Sequence, residues 1–301
     1  MSAESIAPNV PHQDFTLGEG DEPTYSDELS DAQRKLLNRR TDGIAVFLAG
    51  SSNVAIQLAM RPVGRGVVES TVHSGSVYRH PLKRFRTTVG YLDVAMRGDD
   101  QLRADYRRAV NGSHRHVRSG PDGPVKYNAF NRDLQLWVAS CIYYGFRDSM
   151  TRMHGALSAD EQELLLQACR RLATTLQVPA EMWHANASAF EAYWADGLSR
   201  IEIDDETKEY LLGIVDMKIL PTPLDRLFGP PMRFFNTGYL PAEVRAALGL
   251  TWTDRQERWF NAILRFLGTV SRPLPAVVRR VPMNWMTLNL RARRALGRPL
   301  V

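Results

Sequence analysis

The chain is poor in the residues from which most metal, redox and nucleotide sites are built. Its 301 residues include two cysteines, Cys141 and Cys169, too far apart for a Cys-x-x-Cys pair and set in apolar or mixed helix-like sequence. That excludes a thiolate zinc site and a disulfide framework, and it fits a reducing compartment. His-Glu-x-x-His, Gly-x-Gly-x-x-Gly and Gly-x-x-x-x-Gly-Lys-Ser/Thr are all absent, so zinc hydrolase and nucleotide-binding chemistry have no motif. Long apolar runs are missing too. Ile44 to Ala49 and Leu136 to Phe146 are the longest, well short of the roughly 18 to 20 residues a spanning helix needs. No basic region followed by an apolar core opens the sequence, so no secretory signal is expected and a cytoplasmic location is predicted. Strand signals are scarce: residues 66–72, Gly-Val-Val-Glu-Ser-Thr-Val, are the best, and no alternating runs recur at sheet spacing.

What is present reads as a folded helical protein. Apolar residues make up 44% and charged residues 24%, close to the averages of soluble globular chains. The formal charge of +5 comes largely from arginine, most visibly in Arg279-Arg280, Arg291, Arg293-Arg294 and Arg298. A solvated helix end is the plainer reading of this tail; anionic lipid and nucleic acid are the partners such charge would otherwise attract. Residues 1–30 are rich in Pro, Glu, Asp, Ser and Gly, which bury too little surface to offset the entropy of ordering, and predict a flexible arm. Leu134, Trp137, Val138, Cys141, Ile142 and Gly145 recur at helix spacing and form one apolar stripe. Ser158 with Glu161 and Thr253 with Gln256 have the capping-box pattern that starts a helix. Pro221-Thr222-Pro223, Gly229-Pro230-Pro231 and Pro241 predict turns inside a bundle. Without internal repeats, residues 31–301 are expected to form a single all-α domain. Trp252, Trp259 and Trp285 are expected to pack a helical lid or flank.

Between Gly50 and Val117 four segments follow in order: Gly50-Ser51-Ser52-Asn53, Gln57 to Pro62, Pro81 to Thr88, and His114-Arg115-His116-Val117. Together they resemble the rubber-oxygenase-like family, also called MpaB-type or latex-clearing-protein-like (DUF2236) oxygenases. Arg84-x-x-x-Thr88, with His114-x-x-Val117 about thirty residues after Arg84, matches its signature. The resemblance is strongest over residues 40–220 and gives out from about Ile219. It implies a globin-like helical core carrying one haem b, with His114 as the proximal iron ligand. A single proximal imidazole leaves the opposite haem face open to dioxygen.

From the residues alone, any one of seven histidines is more often a surface or core residue than a ligand. His114 follows Asn111-Gly112-Ser113, which predicts a break and a cap, with His114 in the first turn of the next helix. His116 would point away from that face. Arg84 and Thr88, four residues apart, share a helix face with Tyr91, Leu92 and Ala95. Arg84 then either forms an internal ion pair with a carboxylate or, as the resemblance implies, meets a haem propionate or organises the distal pocket, where Thr88 hydrogen-bonds oxygen or water. Trp137 is implied to pack beside the haem. Glu69 lies where some members carry a catalytic base, although a surface glutamate is its default reading; His73 is a second pocket candidate.

Three departures from the family pattern stand out. Thr87 replaces a lysine that caps the iron in rubber-cleaving members, so a lysine-capped resting state is not expected. Ala139 ends what is usually Trp-Val-His, and Met60 stands where a histidine is usual and is read as packing. The function expected is a haem-b-dependent oxygenase acting on a small hydrophobic substrate, such as an isoprenoid, a lipid or a natural-product intermediate. Its partners would be dioxygen and an electron donor, with no nucleic acid and at most peripheral membrane contact. The alternative is a non-catalytic helical protein that binds haem or a hydrophobic ligand. A shared fold alone does not decide between them.

Overall fold

Fourteen α-helices and no β-strand form over the described residues of the computed structural model, which are 27–70, 72 and 76–301. They are α1 (Asp31–Arg40), α2 (Gly43–Leu58), α3 (Arg61–Val68), α4 (Pro81–Arg97), α5 (Asp100–His114), α6 (Arg132–His154) and α7 (Ala159–Thr174), followed by α8 (Ala187–Ser199), α9 (Asp205–Val215), α10 (Leu224–Tyr239), α11 (Ala242–Leu248), α12 (Asp254–Ser271), α13 (Ala276–Arg279) and α14 (Val281–Ala295). The chain is all-α, as its periodicity predicts. Both expected capping boxes close, Ser158 with Glu161 and Thr253 with Gln256, and Ser30 with Gln33 forms a third. Each satisfies backbone donors that a helix start leaves unpaired.

Helices α2 and α6 form an antiparallel spine. Asp42 meets His154, Asn53 Nδ2 donates to the Cys141 carbonyl at 2.6 Å, and Trp137 Nε1 donates to the Gln57 carbonyl at 3.1 Å. The apolar stripe predicted for α6 is largely core, with Trp137, Cys141 and Ile142 buried. Both cysteines are buried free thiols. Helix α12 lies hard against α6: a Cβ on Gly268 would come within 2.0 Å of the Met153 carbonyl, so only glycine permits that approach. Fully buried Phe260 on α12 gathers Tyr239, Phe234 and Trp252 into a second cluster. Helix α14 closes over α4 and α2, with Met283 and Met286 against Val46, Phe85 and Val89. No single helix among the described residues is long and apolar enough to cross a membrane.

Several sequence expectations are corrected. The strand signal at residues 66–72 falls partly in α3, which Pro62 starts and which packs on α2 and α9; burial of Gly64 and Gly66 outweighs the β-branched run. Gly229-Pro230-Pro231 is not a turn, because α10 runs through both prolines, held on α2 and by Asn236, whose Nδ2 donates to the Val215 carbonyl at 2.8 Å. Asn111-Gly112-Ser113 does not break the chain either; α5 starts at its Asp99 cap and continues to His114, so His114 ends a helix rather than beginning one. Residues 1–26 of the expected arm, and His73, lie outside the described residues. The last part of that arm is fixed in place: buried Asp27 pairs with Arg103 at 2.5 Å, and Arg171 donates to its carbonyl at 2.9 Å. Trp252 packs as expected, but Trp259 and Trp285 are 59% and 61% exposed and pack no core.

Candidate active site

Helices α2, α4, α5 and α6 enclose a cavity of about 270 Å³ whose empty volume, mouth included, is about 1500 Å³. Those values bracket the range usual for small-molecule sites. Its walls are mostly aliphatic and aromatic, with Ala45, Ala49, Val54, Leu92, Ile142 and Phe146 among them. Three of the residues singled out in the sequence, Arg84, Thr88 and His114, line this one cavity.

Helical geometry explains the convergence. On α4 the lining positions are Lys83, Arg84, Thr87, Thr88, Tyr91 and Leu92; on α5 they are Tyr106, Val110, Ser113 and His114. Each set recurs at three to four residues, the repeat of one helix face. Tyr106 joins the two helices by donating its phenol to the Thr87 carbonyl at 2.5 Å. Thr87 turns its hydroxyl back to the Arg84 carbonyl at 3.0 Å, stapling the turn between them.

His114 packs edge-on against Phe130, with ring centroids 6.2 Å apart. Its Nδ1 is buried and bonds to nothing among the described residues. Burial, reinforced by the charge of Arg84, lowers its pKa to about 4. The ring is therefore neutral at physiological pH, which is the form that binds metal.

Of the two readings the sequence leaves open for Arg84, an internal ion pair does not form among the described residues. The Arg84 side chain reaches into the cavity and has neither hydrogen-bond nor carboxylate partner among the described residues. Burial pushes its pKa below the ordinary arginine value, with only Tyr210 and Tyr106 opposing that. Lys83 beside it is likewise without an ion pair among the described residues. Among the described residues Asp42 is the sole acidic one in the lining, and it is held by His154 at 2.5 Å. Arg40 is tied up by Glu161 at 2.8 Å. Among the described residues the cavity thus carries positive charge with no carboxylate partner, and Arg84 keeps open side-chain surface there, where an anionic group could meet it.

Two of the site residues expected from the sequence do not reach it. Glu69 is exposed at the end of α3, where Arg65 Nε donates to it at 2.8 Å and Tyr127 Oη donates at 2.8 Å. Trp137 turns to the other side of α6 and stacks on Trp194 at 5.3 Å, supporting the wall without lining it. Met60 is buried core, as its packing reading predicts. Tyr106, Ser113 and Phe146 went unrecognised, although Tyr106 lies eight residues before His114 and helix spacing alone would have placed it on the same face.

Comparison with known proteins finds a family and relatives of this chain. The family profile described as ER-bound oxygenase mpaB/B'/Rubber oxygenase, catalytic domain, matches residues 38–269, well beyond the 40–220 legible by eye. The uncharacterized proteins Mb2261 of Mycobacterium bovis and Rv2237 of Mycobacterium tuberculosis are each 44% identical over 229 residues, covering 76% of this chain and 90% of theirs. No solved structure matches significantly.

Proposed function

The chain belongs to the mpaB/B'/rubber oxygenase catalytic-domain family, and from that membership we propose that it is a haem-b-dependent oxygenase acting on a small hydrophobic substrate. The observation that carries the reading is the pairing, in the lining of one mostly apolar cavity, of a neutral histidine with an arginine that has no carboxylate partner among the described residues. Those two groups suit the two polar features of haem b, a neutral imidazole for its iron and a cation for its propionate carboxylates. When bound, the haem supplies the activation of dioxygen, and an electron donor completes the redox balance.

The residues have separate tasks. His114 offers an unprotonated ring nitrogen from the end of α5, and burial keeps protons from competing for it. Arg84, with Lys83 beside it, attracts a carboxylate into a setting where the attraction is weakly screened. Thr88, one turn along α4, presents a hydroxyl to the cavity, where it can hold a water or orient an oxygen atom. The aliphatic walls exclude water and favour an isoprenoid, lipid or similarly apolar substrate.

Oxygen uptake by the haem-loaded protein, screened against isoprenoids and lipids, tests the reading. Substrate-dependent uptake that disappears in Thr88→Val or Arg84→Met supports an oxygenase. Haem binding without uptake on any apolar substrate would instead favour the binding-protein alternative.

A further inference from the structure

From Arg258 to Val301 the chain has nine arginines and neither aspartate nor glutamate. The same stretch exposes large apolar side chains at short, regular intervals: Phe266 and Val270 on α12, Val277 on α13, then Val281, Trp285 and Leu288 on α14. Within each helix these positions are three or four residues apart, so they make outward stripes. The inward faces are committed elsewhere, with Leu264 and Gly268 packed on the α6 side and Met283, Met286 and Leu290 packed on the α4 side. The outward stripes are therefore not misplaced core. Trp285 is 61% exposed and Trp259, at the start of the same series on α12, is 59% exposed.

The charges sort the same way. Arg272 and Arg279 turn inward, to the His154 carbonyl and towards Asp42. Arg258, Arg265, Arg291 and Arg298 are exposed and have no ion pair among the described residues. Two amphipathic helices with outward aliphatic side chains, two outward tryptophans and a surrounding field of unpaired arginine match a surface that is apolar within and anionic at its boundary. That is a bilayer with acidic headgroups. Nucleic acid would use the arginines but leave the aliphatic stripes in water, and a protein partner gives no reason for the lack of acidic residues after Asp254 and Glu257 in the first turn of α12.

We propose that the outward faces of α12, α13 and α14 form a docking surface for anionic lipid bilayers, on which the protein lies without spanning. The inference rests on exposure and charge, and it holds whether or not the cavity takes haem. The surface helix α14 packs directly on α4, the helix that carries Arg84 and Thr88, so docking would set the cavity wall beside a reservoir of apolar compounds.

The test is co-flotation of the full chain with phosphatidylcholine vesicles, with and without phosphatidylglycerol, over a range of salt. Binding to the phosphatidylglycerol vesicles that is weakened by salt is expected. Trp285→Ser with Leu288→Ser, and separately Arg258→Gln with Arg265→Gln and Arg291→Gln, should each reduce it at least tenfold. All five positions are exposed, so thermal unfolding should match the parent and separate loss of docking from loss of fold. The proposal is overturned by no flotation with either vesicle, by equal flotation with both, by variants that float like the parent, or by duplex DNA displacing the protein from the vesicles.

Discussion

Tyr106 and Thr87 are joined by a hydrogen bond of 2.5 Å from phenol to main-chain carbonyl, and that bond ties the helix bearing His114 to the helix bearing Arg84 and Thr88. Tyr106 is buried, and burial raises its pKa well above the ordinary tyrosine value, so it remains a donor at any physiological pH. Tyr106→Phe removes the bond without opening a cavity. The expected cost is about 1 kcal/mol of stability, measured by denaturant unfolding. A larger effect is expected on haem retention, because the two polar groups of the site lose their fixed spacing; retention equal to the parent's would show that the bond does not position the site.

Arg84 has no carboxylate partner among the described residues and keeps open surface in the cavity, so ligand-free Arg84→Met should stay within about 0.5 kcal/mol of the parent's stability. Haem titration of the same variant should show affinity lowered about tenfold or more, the cost of one charge-assisted contact. A variant destabilised in the ligand-free state would reveal an internal partner for Arg84.

Asp27 and Arg103 form a fully buried ion pair that anchors the chain ahead of α1. Burial alone would raise the Asp27 carboxyl, but hydrogen bonds from Arg103 and Thr174 and the charges of Arg103 and Arg171 outweigh it and hold the pKa below the ordinary aspartate value. Its stabilisation is therefore complete above the unfolded value near 3.8 and is lost as pH falls through the lower folded value. Asp27→Asn takes away the buried carboxylate of Arg103, leaving the half-exposed Asp100 at 3.8 Å, and should cost about 3 kcal/mol at neutral pH by denaturant unfolding.

His184 and His114 act together in a different pH window. His184 is buried, 2.8 Å from Ser140 Oγ, and desolvation lowers its pKa to about 4, as it does that of His114. Between about pH 6.5 and 4 the unfolded chain takes up a proton at each position that the folded protein refuses. Each should thus lower stability by about 1.4 kcal/mol per unit of falling pH over that range, and the contribution should level off below it. His184→Gln should remove about half of the slope; an unchanged slope would assign it to other groups.

The sequence was most informative where local chemistry decides structure. Capping boxes at Ser158 and Thr253 and the stripe on α6 depend on neighbours within a turn or two, and the structure matches them. Arg84, Thr88 and His114 could be placed together because ordered motifs mark them. Tertiary packing decides the rest. Nothing near residues 66–72 says that α3 will be pressed on α2 and α9, and nothing near Pro230 says that α10 will continue through it. Trp137 shows the limit of analogy, since a cavity-side role turned out to be stacking against Trp194 behind the wall. Trp285 shows the limit of composition, since an aromatic at helix spacing is core only if a partner covers it.

The absorption spectrum of the purified protein, titrated with hemin and then reduced, beside the His114→Ala variant treated alike, bears most directly on the account. A Soret band that forms stoichiometrically in the parent and is lost or displaced in the variant is the predicted result. A parent that stays colourless after hemin is supplied, or a variant with the parent's spectrum, would contradict the assignment of His114 and with it the haem-dependent reading of the cavity.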